Sequence, residues 1–277
     1  MTETAGQRPA TGSGMRPVII TRPLAQARSL QQQVAALGRQ ALLFPLLEIH
    51  PLDDNRLLDA ALAELERHAL VAFVSPNAID AAFARRQPWP AQVPLAVMGE
   101  GSRQALARHG ITALTTLIAS PLDPDRTDSQ TLLAALNLPA LAGRDVLILR
   151  GESGRELLGD ALRSAGAVVR QVAAYRRVAP LLDASGVEQL RQLLDFAGDW
   201  IITSSEALLV LLKMVEAAEA GAPAAGHDTL VVKLQQQRLI VPHVRIAETA
   251  RALGFQTVIQ SASGDEGLLA ALQFSHE

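Results

Sequence analysis

Between Val18 and Phe255 one pattern of apolar and polar positions recurs six times. A short β-rich apolar run ends on a small or hydroxyl residue, and an amphipathic stretch follows. The copies are VIITRPLAQARSLQQQVAALG (Val18–Gly38), LVAFVSPNAIDAAFARR (Leu70–Arg86), PLAVMGEGSRQALARHGI (Pro94–Ile111), LILRGESGRELLGDALRSAG (Leu147–Gly166), WIITSSEALLVLLKMV (Trp200–Val215) and LIVPHVRIAETARALGF (Leu239–Phe255). Each predicts strand, turn and helix, and the alternation predicts parallel sheets with right-handed crossovers. Gly38, Gly110, Gly166 and Gly254 close four of the helices, because glycine accepts the left-handed conformation at a helix end. Two further segments, DSQTLLAAL from Asp128 and GDEGLLAAL from Gly264, match each other and predict N-capped helices, each after a copy of the unit. The chain therefore reads as two domains of similar plan.

Two segments break the pattern, ALLFPLLEIHPL (Ala41–Leu52) and VVRQVAAYRRVAPLL (Val168–Leu182). Both are extended in character and run into a proline. Taken as linkers, they make the domain between them an insertion. The expected division is a disordered tail at 1–15, a discontinuous domain at 16–45 plus 180–277, an inserted domain at 50–175, and hinge connectors at 45–51 and 175–180. The expected fold class is α/β: two similar parallel-sheet domains joined by a two-stranded connector, with a cleft between them. Ligands of open α/β sheets bind at the carboxyl edge of the strands. The alternative is one large doubly wound sheet.

Composition narrows the function. Apolar residues make up 49% of the chain and charged residues 19%, enough for real cores. The net charge of −3 comes without a basic block, which argues against a nucleic-acid partner. There is no cysteine, so disulfides and thiolate metal sites are excluded. The opening MTETAGQRPATGSG lacks the apolar core of a signal peptide, and no apolar run approaches the roughly 20 residues of a membrane span. A cytoplasmic protein without a membrane partner is expected. His50, His68, His109, His227, His243 and His276 show no ligand spacing, so no metal is expected.

The turn RGESGR after Leu149 invites a phosphate reading. It is neither GxGxxG nor GxxxxGK[ST], and no lysine follows it. Nucleotide binding is the weaker reading of it.

The segments ITRP at Ile20, FPLLEIHP at Phe44, FVSPNAI at Phe73, VMGEGSRQAL at Val97, LILRGESGRELL at Leu147, YRR at Tyr175 and ITSSEA at Ile202 resemble, in order and spacing, the uroporphyrinogen-III synthase family. The resemblance covers nearly all of the chain after about Arg16. It implies two α/β domains, one of them discontinuous, and a cofactor-free cyclase of tetrapyrrole biosynthesis working as a monomer. The implied substrate is hydroxymethylbilane, a linear tetrapyrrole with acetate and propionate side chains. Loss of water from ring A leaves an electrophilic methylene. Ring D attacks through its substituted carbon, and a spiro intermediate fragments and recloses with ring D inverted. The last copy of the unit departs from one common family form, having PHVRIAETA at Pro242 where a glycine and hydroxyls are usual. That raises Arg245 as a substitute anchor.

With that substrate, the turn reads as a carboxylate cradle of N–H groups near Gly151, Ser153 and Gly154, with Arg150 or Arg155 adding charge. Gly151 as a plain turn residue is the bland reading. Ser75, Asn77, Gly99, Ser102, Thr203, Ser204 and Ser205 lie where strands give way to helices. Hydroxyls there cap helices by default, and as a set they become candidate substrate contacts. Ser102 matches a family hydroxyl position near the substrate. Arg22, before a Pro23 suited to the first helical position, is either a propionate anchor or a surface arginine neutralising a local carboxylate. Tyr175, the only tyrosine, matches the family's proposed acid for the departing hydroxyl; a phenol is protonated at neutral pH and can donate. Its bland reading is packing at the connector. Three rivals remain: a non-catalytic two-lobed anion-binding protein, a nucleotide-dependent enzyme, and a family member retaining only the fold.

Overall fold

The computed structural model of the chain describes residues 15–121, 129–154, 156–221 and 229–273. Residues 1–14 of the expected tail, Asp128, Arg155, His227 and His276 lie outside the described residues.

In chain order the elements are β1 (Val18–Ile20), α1 (Leu24–Ala36), β2 (Ala41–Leu43), β3 (Glu48–His50), α2 (Arg56–Ala63), β4 (Leu70–Phe73), α3 (Pro76–Phe83), β5 (Leu95–Val97), α4 (Glu100–Arg108) and β6 (Ile118–Ala119). Then come α5 (Ser129–Ala134), α6 (Leu138–Leu141), β7 (Asp145–Gly151), α7 (Leu157–Ser164) and β8 (Val168–Val178). The chain ends with α8 (Ala184–Asp195), β9 (Asp199–Ile201), α9 (Ser205–Ala220), α10 (Leu230–Gln235), β10 (Arg238–Val241), α11 (Val244–Ala252), β11 (Thr257–Gln260) and α12 (Gly264–Gln273). All six copies of the repeated unit form strand, turn and helix. The four helix-closing glycines have φ of 74°, 78°, 89° and 88°, the conformation that favours glycine.

The chain divides into two compact units, one up to Glu48 and from Ala179 on, the other Ile49–Val178. The first holds a five-stranded sheet, β11-β10-β9-β1-β2, parallel throughout. The second holds most of a six-stranded sheet, β3-β8-β7-β4-β5-β6, parallel from β8 to β6. The fold is α/β with two sheets.

Both sheets are covered on both faces, which explains why their strands read as continuous apolar runs. Successive strand residues point to opposite faces. Val18 and Ile20 thus join Ala27, Leu30 and Leu268 on one side of the first sheet, while Ile19 joins Leu208, Leu211 and Trp200 on the other. In the second sheet Val71 and Phe73 pack with Ile79 and Leu106, and Leu70 and Ala72 with Leu132 and Leu162. Each Val, Ile, Leu or Phe side chain among them, fully buried, contributes roughly 1.5–3 kcal/mol.

One expectation about local structure changes, and one is made specific. The two extended segments carry strands: β2 and β3 lie in Ala41–Leu52, and Val168–Val178 is one eleven-residue strand aligned with β7. Their extended character reflects pairing, which a linear pattern does not distinguish from a bare connection. Pro23 is the residue before α1, with φ −49° and ψ 139°, and not its first residue. An extended ψ is as compatible with the proline ring, and helix boundaries read from sequence carry an uncertainty of a residue or two.

Candidate functional site

In the second unit β7, β4 and β5 are neighbours, and all three run parallel. Their carboxyl ends therefore share one edge. Gly151 ends β7 and Ser153 follows it, Ser75 and Asn77 follow β4, and Gly99 and Ser102 follow β5. Ser75 caps α3: its backbone is extended, its Oγ accepts the Ala78 N–H at 3.2 Å, and Pro76 sits in the first turn. Gly99 caps α4 with its carbonyl, which accepts the N–H groups of Ser102 and Arg103. Asn77 and Ser102 lie inside the first turns rather than before them. Ser102 is only 4% exposed.

Tyr175 reaches this edge from β8. The ladder is regular from Asp145–Val168 to Arg150–Ala173; then a register shift sets Gly151 opposite Tyr175. Such an irregularity re-aims a side chain. Tyr175 is 3% exposed, and its hydroxyl oxygen accepts a hydrogen bond from Ser75 Oγ at 3.1 Å. A Cβ on Gly151 would stand 3.1 Å from Tyr175 Cζ. Ser75, Gly151 and Tyr175 thus form one cluster.

The turn after β7 departs from an open cradle. Gly151 is still strand, and the next N–H, of Glu152, donates to the Tyr175 carbonyl at 2.8 Å. Arg150 is 8% exposed; its Nη1 donates to Glu156 Oε1 at 2.5 Å and to Gln171 Oε1 at 2.8 Å. Gly154, at φ 147°, leaves room for that guanidinium: a Cβ would fall 2.8 Å from Arg150 Nη2. Hydrogen bonds from Arg150 first, then Gln171, hold the Glu156 carboxyl below its usual range. Ser153 accepts from Arg177 Nη2 at its carbonyl (3.1 Å) and Oγ (3.0 Å). The charge expected of Arg155 belongs to a residue outside the described ones.

In the first unit β10, β9 and β1 are likewise parallel neighbours with a shared carboxyl edge. Arg22 follows β1, Thr203 to Ser205 follow β9, and Arg245 follows β10 in the first turn of α11, exposed. Ser204 caps α9 by accepting the Ala207 N–H at 3.0 Å. Ser205 Oγ lies 3.1 Å from Thr249 Oγ1, which donates to the Arg245 carbonyl at 2.8 Å. Arg22 Nη1 pairs with Asp265 Oδ1 in the first turn of α12 at 2.5 Å.

Reasoning from sequence missed Glu156, Gln171, Arg177 and Asp265. Arg177 had a signal, since it stands two positions after Tyr175 on a strand. The others become neighbours of the candidate residues only through the fold. Among the described residues no group of three or more His, Cys, Asp or Glu could hold a metal ion, and no helix is long and apolar enough to cross a membrane. What the edge of the second unit offers chemically is a buried phenol, its serine partner, and fixed cationic groups.

A family model of uroporphyrinogen-III synthase HemD matches residues 28–270. The uroporphyrinogen-III synthase of Salmonella typhimurium is 33% identical over 261 residues, covering 92% of this chain and 99% of that protein. That of Escherichia coli is 31% identical over 263 residues, with the same coverage. Among solved structures, the uroporphyrinogen-III synthetase of Helicobacter pylori superposes with a TM-score of 0.60 at 16% identity, over 95% of this chain and all of that one. A mutant uroporphyrinogen III synthase of Thermus thermophilus does so at 0.54 and 16%, over 94% and 100%. The two structures speak for the α/β fold alone; with the family match and the two relatives, the chain belongs to the uroporphyrinogen-III synthase family.

Proposed function

We propose that this chain closes hydroxymethylbilane to uroporphyrinogen III, as a cytoplasmic monomer without a cofactor, with Tyr175 as the acid. The family's enzyme is a cyclising hydro-lyase of tetrapyrrole biosynthesis. The phenol donates its proton to the departing ring A hydroxyl, which leaves as water. Ring D attacks the resulting methylene through its substituted carbon. The spiro intermediate fragments and recloses at the free α-carbon, whose proton is released and replaces the one Tyr175 gave. The linear substrate also closes unaided without inversion, so holding one conformer accounts for the choice of isomer.

The observation that carries this reading is the Tyr175 hydroxyl, buried at a carboxyl edge and held by Ser75. Arg150, Gly151, Ser153, Asn77, Gly99 and Ser102 on one edge, and Arg22, Thr203, Ser204, Ser205 and Arg245 on the other, are the proposed contacts for substrate acetates and propionates. Charge-assisted hydrogen bonds suit that task.

An assay with hydroxymethylbilane generated in situ and the product isomers separated tests the proposal. The parent should form isomer III. Tyr175→Phe keeps the ring and removes one hydroxyl, so turnover should fall up to about 10²-fold, at the low end for acid catalysis, while product affinity stays. Parental turnover with exclusive isomer III would remove the acid role.

A further inference from the structure

We propose that Ser75 is a positioning residue for Tyr175, turning the phenol proton away from the protein and toward the group that leaves. The inference rests on Tyr175 being the acid.

A serine hydroxyl has one proton to give and two lone pairs to receive with. At Ser75 one lone pair accepts the Ala78 N–H at 3.2 Å, which fixes the oxygen at the start of α3. The one proton goes to Tyr175 Oη at 3.1 Å. Phenol and serine cannot both donate along the same line, so the Tyr175 proton must point elsewhere. At the hydroxyl end of the ring, Gly151 is close enough that an added Cβ would stand 3.1 Å from Cζ and 3.2 Å from Oη, so only the absence of a side chain there leaves the phenol its place. The phenol is held by one donor, with its own donor direction left over. Ser75 is thereby removed from the direct contacts of the substrate: its proton is already committed. The chain of bonds begins at the N-terminus of α3, whose N–H dipoles favour electron density on Ser75 Oγ and stabilise the arrangement.

Four variants separate this role from capping. Ser75→Ala loses both cap and donor. Ser75→Asp keeps the cap, since Asp caps as well as Ser, but has no proton to donate, and a carboxylate there draws the phenol proton back to itself. Ser75→Thr keeps both. Tyr175→Phe removes the acid. The proposal expects kcat to fall about 3- to 10-fold in Ser75→Ala, the loss of one neutral hydrogen bond. It expects a fall at least as large in Ser75→Asp with parental melting temperature, and kcat within about twofold of parent in Ser75→Thr. In the Tyr175→Phe background the Ser75 changes should leave kcat where Tyr175→Phe puts it, because nothing remains to position. Parental kcat in Ser75→Asp overturns the role and leaves a cap. An equal fall in both backgrounds also overturns it, while the acid assignment survives. Parental kcat in Tyr175→Phe alone overturns the acid assignment and this inference with it.

Discussion

Gly151 lies against the edge of Tyr175 that carries the hydroxyl: an added Cβ would come within 3.1 Å of Cζ and 3.2 Å of Oη. Gly151 is in a strand, and its φ is not in the left-handed region. Its lack of a side chain therefore serves space, not backbone. Gly151→Ala should displace the phenol by a few tenths of an ångström from Ser75. We expect turnover to fall several-fold, with a stability cost of about 1–3 kcal/mol from overpacking. Parental turnover at an unchanged melting temperature would show that the ring can shift without consequence.

Glu156 should make the turn after β7 sensitive to acid. Its carboxyl is held below the ordinary value of 4.5 by Arg150 and then Gln171. A carboxylate with a depressed folded pKa adds stability that is full above its unfolded value and fades as pH falls through the folded one. Glu156→Gln should therefore melt lower than the parent at neutral pH, and the gap should close below the ordinary carboxylate range. The side chain is 56% exposed, so salt should shrink the gap as well. Melting curves of both proteins from pH 7 to 3 would decide it; a gap independent of pH would assign the effect to packing.

How far the sequence foretold these features depends on distance along the chain. The strand–turn–helix units are local, so apolar runs, hydroxyl caps and helix-closing glycines sufficed to place both carboxyl edges. Ser75 capping α3 was legible in SPNA for that reason. The role of Gly151 was not, because the atom it must clear belongs to a strand 24 positions away and depends on a shift in the ladder. The partner of Arg22 stands 243 positions on, and that of Arg150 across the β7–β8 pair. Pattern reading sees an arginine beside a turn and no more; whether its charge is already met is a tertiary fact. The extended stretch Val168–Val178 was ambiguous for a similar cause, since a paired strand and a connector share the same residue preferences.

Asp199 should be a staple of the first sheet at the edge opposite the candidate contacts. It is 0% exposed and accepts from Arg39 Nη2 at 2.6 Å and from Arg238 Nε and Nη2 at 2.6 and 2.7 Å. Arg39 also donates to the carbonyls of Arg16 and Leu272. The cluster ties the starts of β9 and β10 to the approach to β1 and the end of α12. Removing one partner of a buried pair leaves the other charge unmet, at a cost of about 3–5 kcal/mol. Asp199→Ala should unfold at clearly lower denaturant, while its folded fraction keeps parental isomer selection. Coincident denaturation curves would mean that Arg39 and Arg238 find other partners.

Arg22 carries the last prediction, because two readings of it separate cleanly. Its guanidinium is 16% exposed and bonded to Asp265, 32% exposed, at 2.5 Å. If Arg22 anchors a propionate, that carboxylate competes with Asp265 for it. Asp265→Asn should then raise affinity for uroporphyrinogen III, and Arg22→Ala should lower it by about 1–3 kcal/mol, the cost of a lost hydrogen bond to a charged group. Salt should weaken binding in the parent more than in Arg22→Ala. Asp265 also sits in the first turn of α12, where a negative charge stabilises the helix. Asp265→Asn should thus melt slightly lower even as it binds tighter. Opposite signs in affinity and stability are the mark of an anchor held in reserve by an internal carboxylate. A drop in stability with affinity unchanged in both variants would leave Arg22 and Asp265 as a structural pair, and would pass the propionate to another cation at that edge, with Arg245 the first to test.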